Sequence, residues 1–194
     1  MDPGLRYRGA SMTGPAPAPA PWSGSTWLKG AAVAGGLVAC DAWVKVTARV
    51  AGCPTTSSLK EALGRAWHVP EGCSDADFFG FARLSPVLRE GGPFGVGGSM
   101  LGGSVGGIWA IGLLAVAALV SILVLRWRWR SPGDAAALGA LWGAVVIEAG
   151  PRLVSGGAGT AELQLGGMAT GLGDIALVWA AAWLLWRAIA EARA

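Results

Sequence analysis

Three acids and an arginine interrupt a region that is otherwise almost wholly Ala, Leu, Val, Gly and Trp: Glu148-Ala-Gly-Pro-Arg152, Thr160-Ala-Glu162-Leu163 and Gly173-Asp174-Ile-Ala176. Carboxylates are costly to hold in such surroundings, so an acid within a membrane-spanning region is a candidate functional group by default. Two carboxylates at a membrane–water boundary suit acid/base hydrolysis. One, ionised, activates a water, while its protonated neighbour donates to the substrate carbonyl. The competing account is structural: Glu148 pairs with Arg152 one helical turn away, and Asp174 caps the start of a helix. Asp41 and Lys45 are also four residues apart. They form either a self-neutralising pair facing neighbouring helices or a pair that braces a site.

The elements that must position these groups follow from composition. Of 194 residues, 53% are hydrophobic and 14% charged, against about 25% charged in soluble domains. Mean hydropathy is +0.51, and the apolar runs reach spanning length. We therefore expect an all-α membrane protein with four transmembrane helices over about 28–50, 106–125, 135–150 and 172–189. The domain runs from 27 to 190, between a disordered tail (1–26, with its Pro-Ala tract) and a short one (191–194). Residues 51–105 form a long polar segment between helices one and two. Within it, Ser57 to His68 has a Ser cap and one apolar face, the pattern of an interfacial helix.

Orientation comes from the basic residues. With both termini in the cytoplasm, Arg6, Arg8, Lys29, Arg126, Arg128, Arg130, Arg187 and Arg193 lie inside, as the positive-inside bias demands. The 51–105 segment is then extracytoplasmic. Asp41, Lys45, Glu148, Arg152 and Asp174 all fall at the outer ends of their helices, and Glu162 in the short connection between helices three and four. Separate helices would not place their acids at one depth by chance.

Other chemistries find little support. A net charge of +3, scattered along the chain, gives no nucleic-acid footprint. Arg126-Trp-Arg-Trp-Arg130, directly after an apolar run, is a stop signal and anchor. His68 is the only histidine and offers no metal-ligand cluster. The Gly-rich stretch 91–107 lacks the setting of a phosphate loop. Cys40, within an apolar run, is expected in the core. Cys53 and Cys73 share one segment and pair only if it is extracytoplasmic and the fold brings them together, which spacing leaves open.

Several short motifs, in order, resemble those of the type II (lipoprotein) signal peptidases, the membrane aspartyl proteases of bacteria. Asp41-Ala-Trp-Val-Lys45 is similar to D-Q-x-x-K, and Arg89-Glu-Gly-Gly-Pro-Phe94-Gly95 to N-x-G-A-A-F-G with Arg89 at the Asn. Glu148-Ala-Gly-Pro151-Arg152 resembles N-x-x-D-R, Thr160-Ala-Glu162-Leu163 resembles V-V-D-F, and Thr170-Gly171-Leu-Gly-Asp174-Ile-Ala176 resembles F-N-x-A-D-x-A. The resemblance covers roughly residues 28–188. It implies a bacterial inner-membrane endopeptidase, active at the extracytoplasmic face on signal peptides of lipid-modified prolipoproteins, with a short β-sheet in the 51–105 segment. Asp174 and Glu162 would be the catalytic dyad, with Glu148 a rival partner. Arg152 would orient the dyad or contact lipid, and Asp41, Lys45, Arg89 and Phe94 would support it. No metal or organic cofactor is implied; the expected partners are the prolipoprotein and membrane lipids, and the expected state a monomer. Departures at Glu148, Pro151, Glu162 and Gly171 define an alternative, a non-catalytic relative that binds lipoprotein signal peptides or another membrane partner. A second is a small transporter or channel component whose acids relay protons.

Overall fold

The computed structural model describes residues 22–53, 72–74, 76–78, 82–90, 105–126, 131–154, 158–165 and 168–193, with backbone and pairing alone for most strand residues. Among the described residues, four helices are long and apolar enough to cross a membrane: α1 (Gly24–Gly52), α2 (Val105–Arg126), α3 (Pro132–Val154) and α4 (Leu172–Ala192). They overlap the expected spans and extend them. The helix of α1 begins at Gly24, inside the stretch expected as tail, because Ser23 caps it by accepting a hydrogen bond from the Thr26 N–H. The expected interfacial helix over Ser57 to His68 lies outside the described residues.

Inside the bundle the residues are small, and outside they are large. Ala110, Ala117, Ala135, Ala137, Ala140, Ala144 and Ala180 are buried, whereas Leu28, Trp43, Ile108, Ile111, Leu119, Val178 and Leu185 face outward. This is the membrane pattern: lipid solvates large apolar side chains as well as protein does, so small residues gather where backbones must approach. α3 is the central helix, packed against the other three. Its Gly139 meets the Gly30 carbonyl of α1 so closely that a β-carbon there would overlap it. Cys40 does not join this core; it is exposed on α1.

Contacts fix the helix directions. Gly30 lies against Ala135 and Gly139, and Ala34 and Leu37 against Gly143, so α1 and α3 run parallel. Trp142 Nε1 donates to Ser121 Oγ of α2 at 3.0 Å. Arg187 and Trp183 of α4 reach Asp134 at the start of α3, while Gly173 of α4 lies by Glu148 near its end. α4 is therefore antiparallel to α3, and so is α2, since Leu125 near its end shares a groove with Ala135 and Leu138 near the start of α3; the start of α1 and the end of α4 share one end of the bundle. There Ser131 and Asp134 cap α3 reciprocally. Asp134, fully buried, also accepts from Trp183 Nε1 at 3.2 Å and Arg187 Nε at 3.1 Å, clamping α3 to α4.

The opposite end carries an antiparallel four-stranded sheet in the order β1 (Ala76–Phe78), β2 (Ala82–Glu90), β3 (Ala158–Leu165), β4 (Met168–Thr170). Only half of it comes from the segment after α1. β3 and β4 form a hairpin in the α3–α4 connection, so cross-strand pairing of two distant segments builds the sheet. Leu163 of β3 packs on Val44 and Ala48 of α1 and on Leu172, seating the sheet on the helix ends.

Cys53 and Cys73 form a disulfide at this end. Beside it, Ser74 N–H donates to the Gly52 carbonyl at 2.7 Å, so the chain leaving α1 is tied back to that helix just before β1. A covalent loop of this size is worth about 3 kcal/mol through restriction of the unfolded chain. The Cys53→Ser/Cys73→Ser double variant should lose roughly that much stability in denaturant unfolding of detergent-solubilised protein. No loss would mean that the helix ends alone hold this connection.

Candidate active site

The acids expected at one depth do converge on one end of the bundle. On α1, Asp41, Lys45 and Arg49 occur at intervals of four and are all buried. Lys45 Nζ lies 2.6 Å from Asp41 Oδ2. A hydrocarbon core takes about 20 helical residues; counted from Gly24, these charges lie at its far boundary or beyond it. Two further turns of the parallel α1–α3 register carry Asp41 and Lys45 to about the level of Glu148 and Arg152.

On α3, Glu148 and Arg152 are 2% and 1% exposed. Arg152 Nη1 donates to Glu148 Oε2 at 2.6 Å and also to the Glu148 main-chain carbonyl. The guanidinium is thus turned inward onto the Glu148 carboxylate. The second Glu148 oxygen, Oε1, packs on the first turn of α4, where a β-carbon at Gly173 would lie 2.7 Å from it and one at Gly171 3.5 Å.

Asp174 occupies that same turn and is fully buried. Its Oδ2 accepts from the Gly171 N–H at 3.2 Å and from the Thr170 hydroxyl at 3.3 Å. The free N–H groups and positive dipole end of α4 favour a carboxylate at this place. Glu148 and Asp174 therefore sit against one Gly-Leu-Gly turn. The absence of side chains at 171 and 173 makes room for the long Glu148. Gly173→Ala should cost about 1–3 kcal/mol by forcing Glu148 aside. Glu148→Asp, one methylene shorter, should recover part of that loss in a double-mutant cycle of unfolding midpoints; strict additivity would refute the contact.

Glu162 lies in β3, with its side chain outside the description. Its neighbour Leu163 pairs with Thr170, the residue that bonds Asp174. On the other side of β3 the register shifts: Leu84 pairs with Leu163 and Val87 with Ala161. Ser85 and Pro86 thus oppose the single residue Glu162, a β-bulge, and Pro86 has no N–H to give to a ladder. Such bulges re-aim side chains beside active sites. Arg89 is also in the sheet, paired with Gly159; Phe94 and His68 lie outside the described residues. Sequence reasoning missed Arg49 and Thr170. The spacing Asp41, Lys45, Arg49 was a readable signal for the first, whereas the Thr170 hydroxyl is recognisable only once α4 is known to begin at Leu172. Among the described residues, no cluster of His, Cys, Asp and Glu has the makings of a metal site.

No protein-family profile matches this sequence, and no curated protein does. Two solved structures share its fold, each described only as a bacterial membrane enzyme determined by the in meso method. The 2.3 Å structure aligns with a TM-score of 0.57 at 11% identity, covering 91% of this chain and 94% of that one. The 1.9 Å structure aligns with a TM-score of 0.54 at 11% identity, covering 88% and 97%.

Proposed function

We propose that this multi-pass membrane protein is an aspartic endopeptidase of the lipoprotein signal peptidase type, acting on signal peptides of lipid-modified prolipoproteins. The observation that carries the reading is a fully buried Asp174 at one rim of the bundle, bonded by Thr170, whose strand partner Leu163 adjoins Glu162, in a fold shared with bacterial membrane enzymes. Asp174 and Glu162, the latter opposite the bulge, are the catalytic pair. Glu148, already committed to Arg152, holds the turn that presents Asp174. Arg152 with Glu148, and Lys45 with Asp41, form two ion pairs whose charges cancel at the rim.

In the reaction, one dyad carboxylate takes a proton from water as the water oxygen attacks the scissile carbonyl carbon. The other, protonated, gives its proton to the carbonyl oxygen. Collapse of the resulting gem-diol breaks the C–N bond: the departing amine takes the proton held by the first carboxylate, and a diol hydroxyl returns its proton to the second, restoring the dyad. The α4 N-terminus favours the negative charge this cycle requires. The disulfide at the same end supports an oxidising, extracytoplasmic location for the rim. Lys29, Arg126 and Arg187 at the opposite end fit the cytoplasmic side.

A specific observation favours a second reading. Asp174 and Glu148 both have structural partners, as they would in a non-catalytic binder. A proton-relaying transporter is disfavoured, since no charged residue occurs in 30–40, 107–125, 135–147 or 175–186. The test is purified protein with a prolipoprotein, with and without diacylglyceryl on its cysteine. Release of the signal peptide from the lipidated form alone is expected, read by mass spectrometry. Retention of the lipidated substrate without cleavage would establish the binder, and neither outcome would end both readings.

A further inference from the structure

At the end of the bundle away from the acids, an apolar groove of about 290 Å³ opens between α1, α2 and α3. Its walls include Trp27, Gly30, Ala34, Ser121, Leu138 and Trp142. The volume is close to the lower limit of ligand pockets, about 300 Å³. The hollow exists because the α1–α3 crossing is made of Gly30, Ala135 and Gly139, which bring backbones together but fill little space beside them. The polar atoms of Ser121 and Trp142 in its wall are already used: Ser121 Oγ donates to the Ala117 carbonyl at 2.7 Å and accepts from Trp142 Nε1 at 3.0 Å. With walls otherwise of Ala, Gly, Leu and Trp, the groove suits an apolar occupant.

Charge says what should stand at its mouth. Lys29 adjoins Gly30, Arg126 adjoins the lining residue Leu125, and both are exposed at this end. The chain continues from Arg126 as Trp-Arg-Trp-Arg. Asp134, the carboxylate nearest in sequence to this mouth, is fully buried and engaged by Arg187 and Trp183. Trp22 and Trp27, with ring centroids 4.7 Å apart, flank the opening at the depth where aromatic residues meet headgroups.

We propose that this groove is a binding site for an anionic phospholipid, one acyl chain lying along the Gly/Ala face of α1 and α3 and the phosphate held by Lys29 and Arg126. Basic pockets between helices on the cytoplasmic side recognise anionic headgroups in this way. The site is independent of the peptidase reading, being at the other end of the bundle.

The test uses the full chain in detergent, with phosphatidylglycerol and phosphatidylcholine of identical acyl chains, and native mass spectrometry to count retained lipid. One phosphatidylglycerol should be retained at least tenfold more than phosphatidylcholine. Lys29→Gln/Arg126→Gln, changing only exposed side chains, should abolish that preference. Ala31→Phe, pointing bulk from an exposed lining position into the groove, should lower retention of both lipids. Equal retention of the two lipids by the wild type, or an unchanged preference in the double Gln variant, would overturn the proposal whatever Ala31→Phe does to folding.

Discussion

Asp174→Asn should abolish release of the signal peptide, with a fall on the order of 10³-fold or more in turnover, while leaving the protein folded. Asn is isosteric and its side-chain oxygen still accepts from Gly171 N–H and the Thr170 hydroxyl, so the α4 cap survives. What it cannot do is take or hold a proton. Glu162→Gln should produce a loss of similar size, since either half of a dyad disables the pair. Glu148→Gln should be milder in turnover, because Gln keeps the length that packs on Gly173 and can still accept from Arg152. The measurement is single-turnover cleavage of lipidated prolipoprotein, with thermal unfolding as the control on folding. Full activity in Asp174→Asn would remove Asp174 from the chemistry. A severe loss in Glu148→Gln with Glu162→Gln unaffected would transfer the second role to Glu148.

The largest effect on stability is expected at Arg152. Its guanidinium and the Glu148 carboxylate are 1% and 3% exposed as side chains, at 2.6 Å. A buried pair of this kind adds little net stability over apolar residues of the same volume, because both ions lose their hydration. Removing one member is different, for the other remains as an uncompensated buried charge. Arg152→Met should cost about 3–5 kcal/mol, seen as a large fall in the unfolding midpoint in mild detergent. Adding Glu148→Leu should recover most of it. If the single substitution costs under about 1 kcal/mol, the pair is solvated and the account of this rim is wrong.

Much of the architecture was legible along the chain because the bilayer is a severe solvent. Four apolar runs of the right length admit few alternatives to four helices. The intervals Asp41–Lys45 and Glu148–Arg152 became ion pairs because a helix brings residues four apart onto one face. The exposed Cys40 shows the limit of this reasoning. An apolar run tells that a helix is in lipid, and which of its faces meets protein depends on where the neighbours stand.

What the sequence determined by itself was local or one-dimensional: span count, the level of the acids, the capping of α4 by Asp174. What only the tertiary structure decided was non-local. The union of β1 and β2 with a hairpin some 70 residues later rests on strand register, and so does the bulge of Ser85 and Pro86 facing Glu162. The pairing of Cys53 with Cys73 and the packing of Glu148 against Gly171 and Gly173 depend on distances between segments. Helical periodicity and hydropathy act over a few residues. The meeting of two separate stretches is set by the packing of the whole chain.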